Sequence, residues 1–339
     1  MEIFKFLKNQ KTKINYLFKV AGKKRKGDIF KNEKNIYLFS YFEKITKIYS
    51  FPQIIKRSQI KLNSKIILKK LSFQEFEDIV FNKRKILYRF CEGSLKNLIL
   101  YFYYEEEFIH IYGYEPKNFD DFKKIFNKVI LLSRKQEELF VKFWYVYITY
   151  IKERFFDNKN IMIAFKGWPD FLDNPFPYSF KRSHKVRFLN ILSKITNTSS
   201  FYDGLFFKQL IIDKNFNLLI DKIKNKKIII IANNDFKNLS IKLKNISHIT
   251  IPYDNQLYLV YEDILKEINK ELEKFKYMID DIVLIFQTGS AFANYFMLNI
   301  TKNYPDLIFL DLGQALNIIL HSDEFHSSTT THLIKKYSL

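Results

Sequence analysis

Apolar positions along the chain fall into two kinds of run. Six are continuous and of strand length: KILYRF (85–90), NIMIAF (160–165), KKIIIIAN (226–233), HITIPY (248–253), DDIVLIF (280–286) and LIFLDL (307–312). Unbroken apolar runs of this length suit strands covered on both faces. Between them the apolar residues return at helical spacing. SFQEFEDIVFN (72–82) opens with Ser72 and Glu75, a capping box ahead of an apolar stripe. CEGSLKNLILYFY (91–103) turns at Gly93 and continues as a helix, and an aromatic-rich helical stretch covers about 118–157. Further helices are predicted near 185–197, 203–223 and 258–276, with a short one after 233 and a Pro-rich loop over 167–180. Strands alternating with helices predict an open, mostly parallel, Rossmann-like α/β sheet with helices on both faces.

The last part of the pattern carries the first chemistry. SAFANYFMLNITKNY (290–304) is helical in spacing and joins two strand runs, giving a strand–helix–strand unit with a parallel crossover. Ligands of such units sit at the carboxyl ends of the strands. Thr288, Gly289 and Ser290 stand at the first such end, where backbone N–H groups and a helix N-terminus favour an anion. Asp311, two residues before Gly313, stands at the second. Asn233, Asn234 and Asp235 follow another strand and are candidates for a ribose or base contact, or ordinary turn residues.

Composition narrows the partners. Of 339 residues, 47% are hydrophobic, enough to bury a core, and 56 Lys and Arg against 36 Asp and Glu give a net charge of +20. That balance suggests a phosphate-rich partner, although Lys, Ile, Asn and Phe are abundant throughout the chain. A single cysteine, Cys91, excludes an intrachain disulfide framework and a cysteine-based zinc site. Charges run through MEIFKFLKNQKTK where a signal peptide would be apolar, and no uncharged run reaches spanning length, so neither a signal peptide nor a transmembrane helix is expected. KKRK (23–26) is the densest basic cluster; it reads either as a solvated loop or as a contact for an anionic membrane surface. His321, His326 and His332 have no common metal spacing.

The order of these parts resembles bacterial glycosyltransferases of the GT-D structural type, over roughly residues 70–326. Those proteins carry an early strand ending in an Arg–Phe–Gly–Asp–Gly–Glu-like stretch and a late strand–Gly-loop–helix–strand unit ending in Asp-Ile-Gly or similar. Here the early stretch is RFCEGS (89–94) and the late unit is FQTGSAFANYF…FLDLGQALN. Arg89, Phe90 and Gly93 match. Glu92 falls where the family has Asp, Ser94 where it has Glu, and Asn317 where it often has Asp. The resemblance implies a basic N-terminal region (1–70), a GT-D-like domain (71–326) and a C-terminal tail (327–339).

It also implies a glycosyltransferase that moves a sugar from a nucleotide-sugar donor to a hydroxyl of a glycan, a lipid-linked or a protein-linked acceptor. Arg89, Glu92, Gly93, Ser94, Thr288, Gly289, Ser290 and Gly313 are then expected to hold the donor, and Asp311 or His326 to act as the base. Glu92 is the candidate metal ligand. With Ser94 supplying only a neutral oxygen, Mg²⁺ or Mn²⁺ is expected to be weakly held or dispensable. The expected setting is cytoplasmic, with peripheral association at the inner face of an anionic membrane. Two rivals remain: a basic nucleic-acid-binding protein, for which no motif appears and no nucleic acid is expected, and an inactive glycosyltransferase-like partner subunit.

Overall fold

Among the described residues eight parallel strands carry the fold, which is an open Rossmann-like α/β arrangement with helices on both faces. The structure is a computed structural model and describes residues 64–130, 138–155, 161–165, 182–198, 200–213, 215–234, 236, 246–252, 256–313 and 315. All lie in one unit, Gln59–Leu339. The strands are β1 (Ile67–Lys69), β2 (Ile86–Phe90), β3 (Ile161–Phe165), β4 (Ser200–Asp203), β5 (Lys227–Ala232), β6 (Ile246–Thr250), β7 (Ile282–Phe286) and β8 (Ile308–Asp311). They form two four-stranded sheets, ordered β1-β4-β3-β2 and β6-β5-β7-β8, and every ladder among the described residues is parallel. β2 lies beside β8, so the sheets meet edge to edge.

Alternation along the strands divides the core in two. Tyr88 and Phe90 of β2, Ile163 and Phe165 of β3, Ile229 and Ile231 of β5, and Leu284 and Phe286 of β7 share one buried layer. Leu87, Met162, Ala164, Ile228, Ile230, Val283, Ile285 and Leu310 share the other. Each layer runs through strands of both sheets, which explains the unbroken apolar runs: neither face of a central strand meets water.

Nine α-helices lie among the described residues: α1 (Phe73–Glu77), α2 (Glu92–Tyr112), α3 (Phe119–Ile130), α4 (Glu138–Arg154), α5 (Arg182–Thr196), α6 (Phe206–Ile212), α7 (Phe216–Ile223), α8 (Tyr261–Lys274) and α9 (Ser290–Ile300). Side chains of α2, α3, α4, α5, α8 and α9 fill the first layer, and those of α1, α6 and α7 the second. None of these helices is long and apolar enough to cross a membrane.

The structure departs from the sequence reading in several places. The capping box forms, with Ser72 Oγ accepting from Glu75 N–H (3.2 Å), but α1 gives way to a π-helical turn at Asp78–Asn82. The helical stretch read over 118–157 is two helices, α3 and α4. The one read over 203–223 is also two, α6 and α7, divided near Asp213–Asn215, and it begins after a strand, β4, that the pattern missed. β1 was missed as well, and it lies inside the segment set apart as N-terminal. Finally, β6 pairs over 246–250 rather than 248–253; beyond it Ile251 N–H still bonds Ala232 O (3.0 Å), and Pro252 has no N–H to continue with.

Candidate active site

The seam between β2 and β8 has no ladder among the described residues, and polar side chains occupy it instead. Arg89, the fourth residue of β2, is only 4% exposed. Its Nε donates to Gly204 O (3.0 Å) just past β4, its Nη1 donates to Asp311 O at the end of β8, and its Nη2 reaches Cys91 Sγ (3.5 Å). The Asp311 carboxylate lies 3.6 Å from Nη1, and the guanidinium sits 5.6 Å from the ring centre of Phe207 on α6. One planar, five-donor group thus ties together the ends of β2, β4 and β8.

Asp311 is 3% exposed. Burial pushes its pKa up, against the opposing pull of Arg89 and of the Gly313 N–H. Its Oδ2 is buried without a hydrogen-bond partner among the described residues. Gly313 has φ +50°, which L side chains rarely adopt, and a Cβ there would lie 3.5 Å from Arg89 Nη1 and 3.6 Å from Asp311 Oδ1. Its N–H bonds Phe286 O (3.1 Å), folding the DLG turn back onto β7.

The other two loops meet beside this pair. Cys91 is the N-cap of α2 and Gly289 the N-cap of α9. Cys91 N–H donates to Ser290 Oγ (3.0 Å), Ser94 Oγ donates to Cys91 O (3.0 Å), and the two serine hydroxyls bond each other. Thr288 is buried and its hydroxyl donates to Gly289 O (3.2 Å). The N-termini of a 21-residue and an 11-residue helix are therefore held side by side at the carboxyl ends of β2 and β7.

Of the residues singled out by sequence, Arg89, Gly93, Ser94, Thr288, Gly289, Ser290, Asp311 and Gly313 are brought to this one edge. Glu92 begins α2, but its side chain lies outside the described ones. His321, His326, His332, Asn317, Asp235, KKRK and the 167–180 loop lie outside the described residues. Asn233 and Asn234 directly follow β5 at the same edge. Arg89, read as a phosphate contact, is bonded to Gly204 O, Asp311 O and Cys91 Sγ. Ser94 likewise binds protein oxygens, and no group of three His, Cys, Asp or Glu among the described residues could hold a metal.

Sequence reasoning missed four participants. Asn294, fully buried on α9, donates through Nδ2 to Arg89 O (3.0 Å) and Tyr147 Oη (3.1 Å). A polar residue fully buried between Ala293 and Tyr295, in the apolar stretch Ala291–Leu298, was a usable signal; Tyr147, one aromatic among many in α4, gave none. Asp203 and Gly204 were hidden by the missed strand. Asp203 is half-buried, accepts Leu205 N–H on Oδ1 (2.8 Å), and is pushed up to about 6, chiefly by burial and against the pull of that hydrogen bond, Arg89 and Lys70.

No protein-family model matches the chain, and no curated protein matches it. Three solved structures are similar in part. A selenomethionine-substituted domain of unknown function 1792, and a structure of that highly conserved domain reported to have a distinct glycosyltransferase fold, each share 10% identity and a TM-score of 0.46 over 78% of this chain and 88% of theirs. A glycosyltransferase from Streptococcus sanguinis with the same domain shares 11% identity and a TM-score of 0.44 over 80% of this chain and 93% of its own.

Proposed function

We propose that the chain is a glycosyltransferase that moves a sugar from a nucleotide-sugar donor to a hydroxyl of a glycan, a lipid-linked or a protein-linked acceptor. The observation that carries this reading is the meeting of RFCEGS, TGS and DLG at the carboxyl ends of β2, β7 and β8. These are the stretches whose order resembles the GT-D type. Leaving-group stabilisation needs positive potential aimed at a diphosphate. The paired N-termini of α2 and α9 supply it, with Glu92 and a weakly held Mg²⁺ or Mn²⁺ as an addition when the donor is bound. Arg89 shapes the edge from beneath, and its bonds to Gly204 and Asp311 give that edge its form. Asp311 belongs to the same frame: a sealed carboxylate paired with a guanidinium is poorly placed to meet an acceptor hydroxyl.

A thermal-shift screen with UDP-, GDP-, CMP- and TDP-sugars tests the reading. Stabilisation by one nucleotide class is expected, since a ligand that binds only the folded state raises Tm. No response, together with tight and salt-sensitive binding of DNA or RNA, would replace it with the nucleic-acid reading. The internal engagement of Arg89 and Ser94 favours one alternative, an inactive partner subunit; donor binding with no turnover across acceptors would support that.

A further inference from the structure

We propose that Asp203 is the general base of the transfer, receiving the proton of the acceptor hydroxyl. This rests on the glycosyltransferase reading and names a residue for a step that the loops above leave without one. Asp203 is the last residue of β4, level with Phe165 at the end of β3, which is level with Phe90 at the end of β2. It therefore stands on the same carboxyl edge as the α2 N-terminus. Arg89 Nε holds the adjacent Gly204 O, so the Asp203 loop and Asp311 are fixed by one guanidinium.

The two carboxylates differ in what they can touch. Asp311 Oδ2 is sealed in the interior. Asp203 is half-buried: Leu205 N–H fixes Oδ1, while Oδ2 accepts no hydrogen bond among the described residues and is not among their fully buried, unpartnered atoms. One oxygen is anchored and the other is left without a hydrogen bond, as a base needs to be held in a set orientation and still take up a proton. The charged groups acting on it are Arg89 from β2 and Lys70 after β1, and burial outweighs both, leaving a carboxylate that is ionised at neutral pH yet more basic than a surface aspartate.

In the step itself, the acceptor O–H proton passes to Asp203 Oδ2 as the acceptor oxygen bonds the anomeric carbon. The bond from that carbon to the donor phosphate oxygen breaks, and its electron pair leaves with the nucleotide. Asp203 then returns the proton to solvent. The route is a single displacement with inversion.

The test uses the full chain, with water as the acceptor. Hydrolysis of UDP-, GDP-, CMP- and TDP-sugars is followed from pH 4.5 to 8.5, and nucleotide affinity is measured by calorimetry. For Asp203→Asn, hydrolysis should fall by about 100-fold or more, nucleotide affinity should stay within about threefold, and the acid limb near pH 6 should vanish. Asp203→Glu should recover about tenfold. Unchanged hydrolysis in Asp203→Asn would overturn the assignment, as would a parallel loss of nucleotide affinity or unfolding of both variants. If wild type binds none of these nucleotides, the glycosyltransferase reading fails first and this assignment falls with it.

Discussion

Arg89, Asp311 and Gly313 depend on one another. The guanidinium is a fork with several acceptors at fixed positions, and a lysine ammonium cannot reach Gly204 O and Asp311 O together. Arg89→Lys should lower stability by about 2–3 kcal/mol, read by urea unfolding, because buried acceptors lose their donors. Gly313→Ala should cost roughly 1–2 kcal/mol, from its positive φ and not from crowding, since the nearest atoms would be at ordinary contact distance. Asp203 gives a pH signature. Its folded pKa, about 6, lies above the ordinary 3.8, so the unfolded chain ionises first and this group's contribution to stability is lost as pH rises from about 4 to 6. Asparagine does not titrate, so Asp203→Asn should gain on wild type across that window by about 2–3 kcal/mol; a difference flat with pH would show that the group is not perturbed. Arg89 and Asp311 were legible because each interrupts an apolar run. Asn294 sent the same signal from a helix. Asp203 sent none, because its strand is four residues long and largely half-buried.

Among the elements, legibility followed burial. β2, β3, β5, β7 and β8 are covered on both faces and announce themselves as continuous apolar runs. β1 has three residues, with Ile67 half exposed, and β4 is short; both are recruited by pairing with neighbours, which no local pattern records. The pairing of α9 with β2 was equally invisible, since 205 residues separate Asn294 from Arg89. Asn294 supplies a donor to a strand-edge carbonyl that has no ladder partner in β8. Asn294→Ala should therefore destabilise by about 2–4 kcal/mol, through the orphaned Arg89 O and the small cavity left behind. Tyr147→Phe keeps the bond to Arg89 and should cost about 1 kcal/mol. Equal costs for the two variants, measured by urea unfolding, would mean that the Asn294–Arg89 contact contributes little and that packing against α4 dominates.

For the molecule as a whole, the shared core layers make one unit of the two sheets, and the charge is not spread evenly along the chain. Residues 1–63 hold 16 Lys and Arg against four Asp and Glu, twelve of the twenty net positive charges. The remaining 276 residues are only mildly basic, so the general Lys-rich composition does not account for the excess at the start. We propose that this segment attaches the protein to an anionic membrane face while the carboxyl edge of the sheet performs the chemistry. Each cation close to an anionic leaflet contributes about 1 kcal/mol, and salt weakens it within a Debye length. Replacing Lys23, Lys24, Arg25 and Lys26 with Glu should release the protein from vesicles containing phosphatidylserine at about 0.1 M salt, and nucleotide affinity should not change. Wild type should ignore neutral phosphatidylcholine vesicles and should leave the anionic ones as salt is raised. A duplex DNA competitor decides the remaining rivalry: if DNA strips wild type from vesicles at sub-micromolar concentration, nucleic acid is the stronger partner and the membrane assignment fails. Vesicle binding that survives the fourfold charge reversal would also defeat it, since it would place the contact outside the basic cluster.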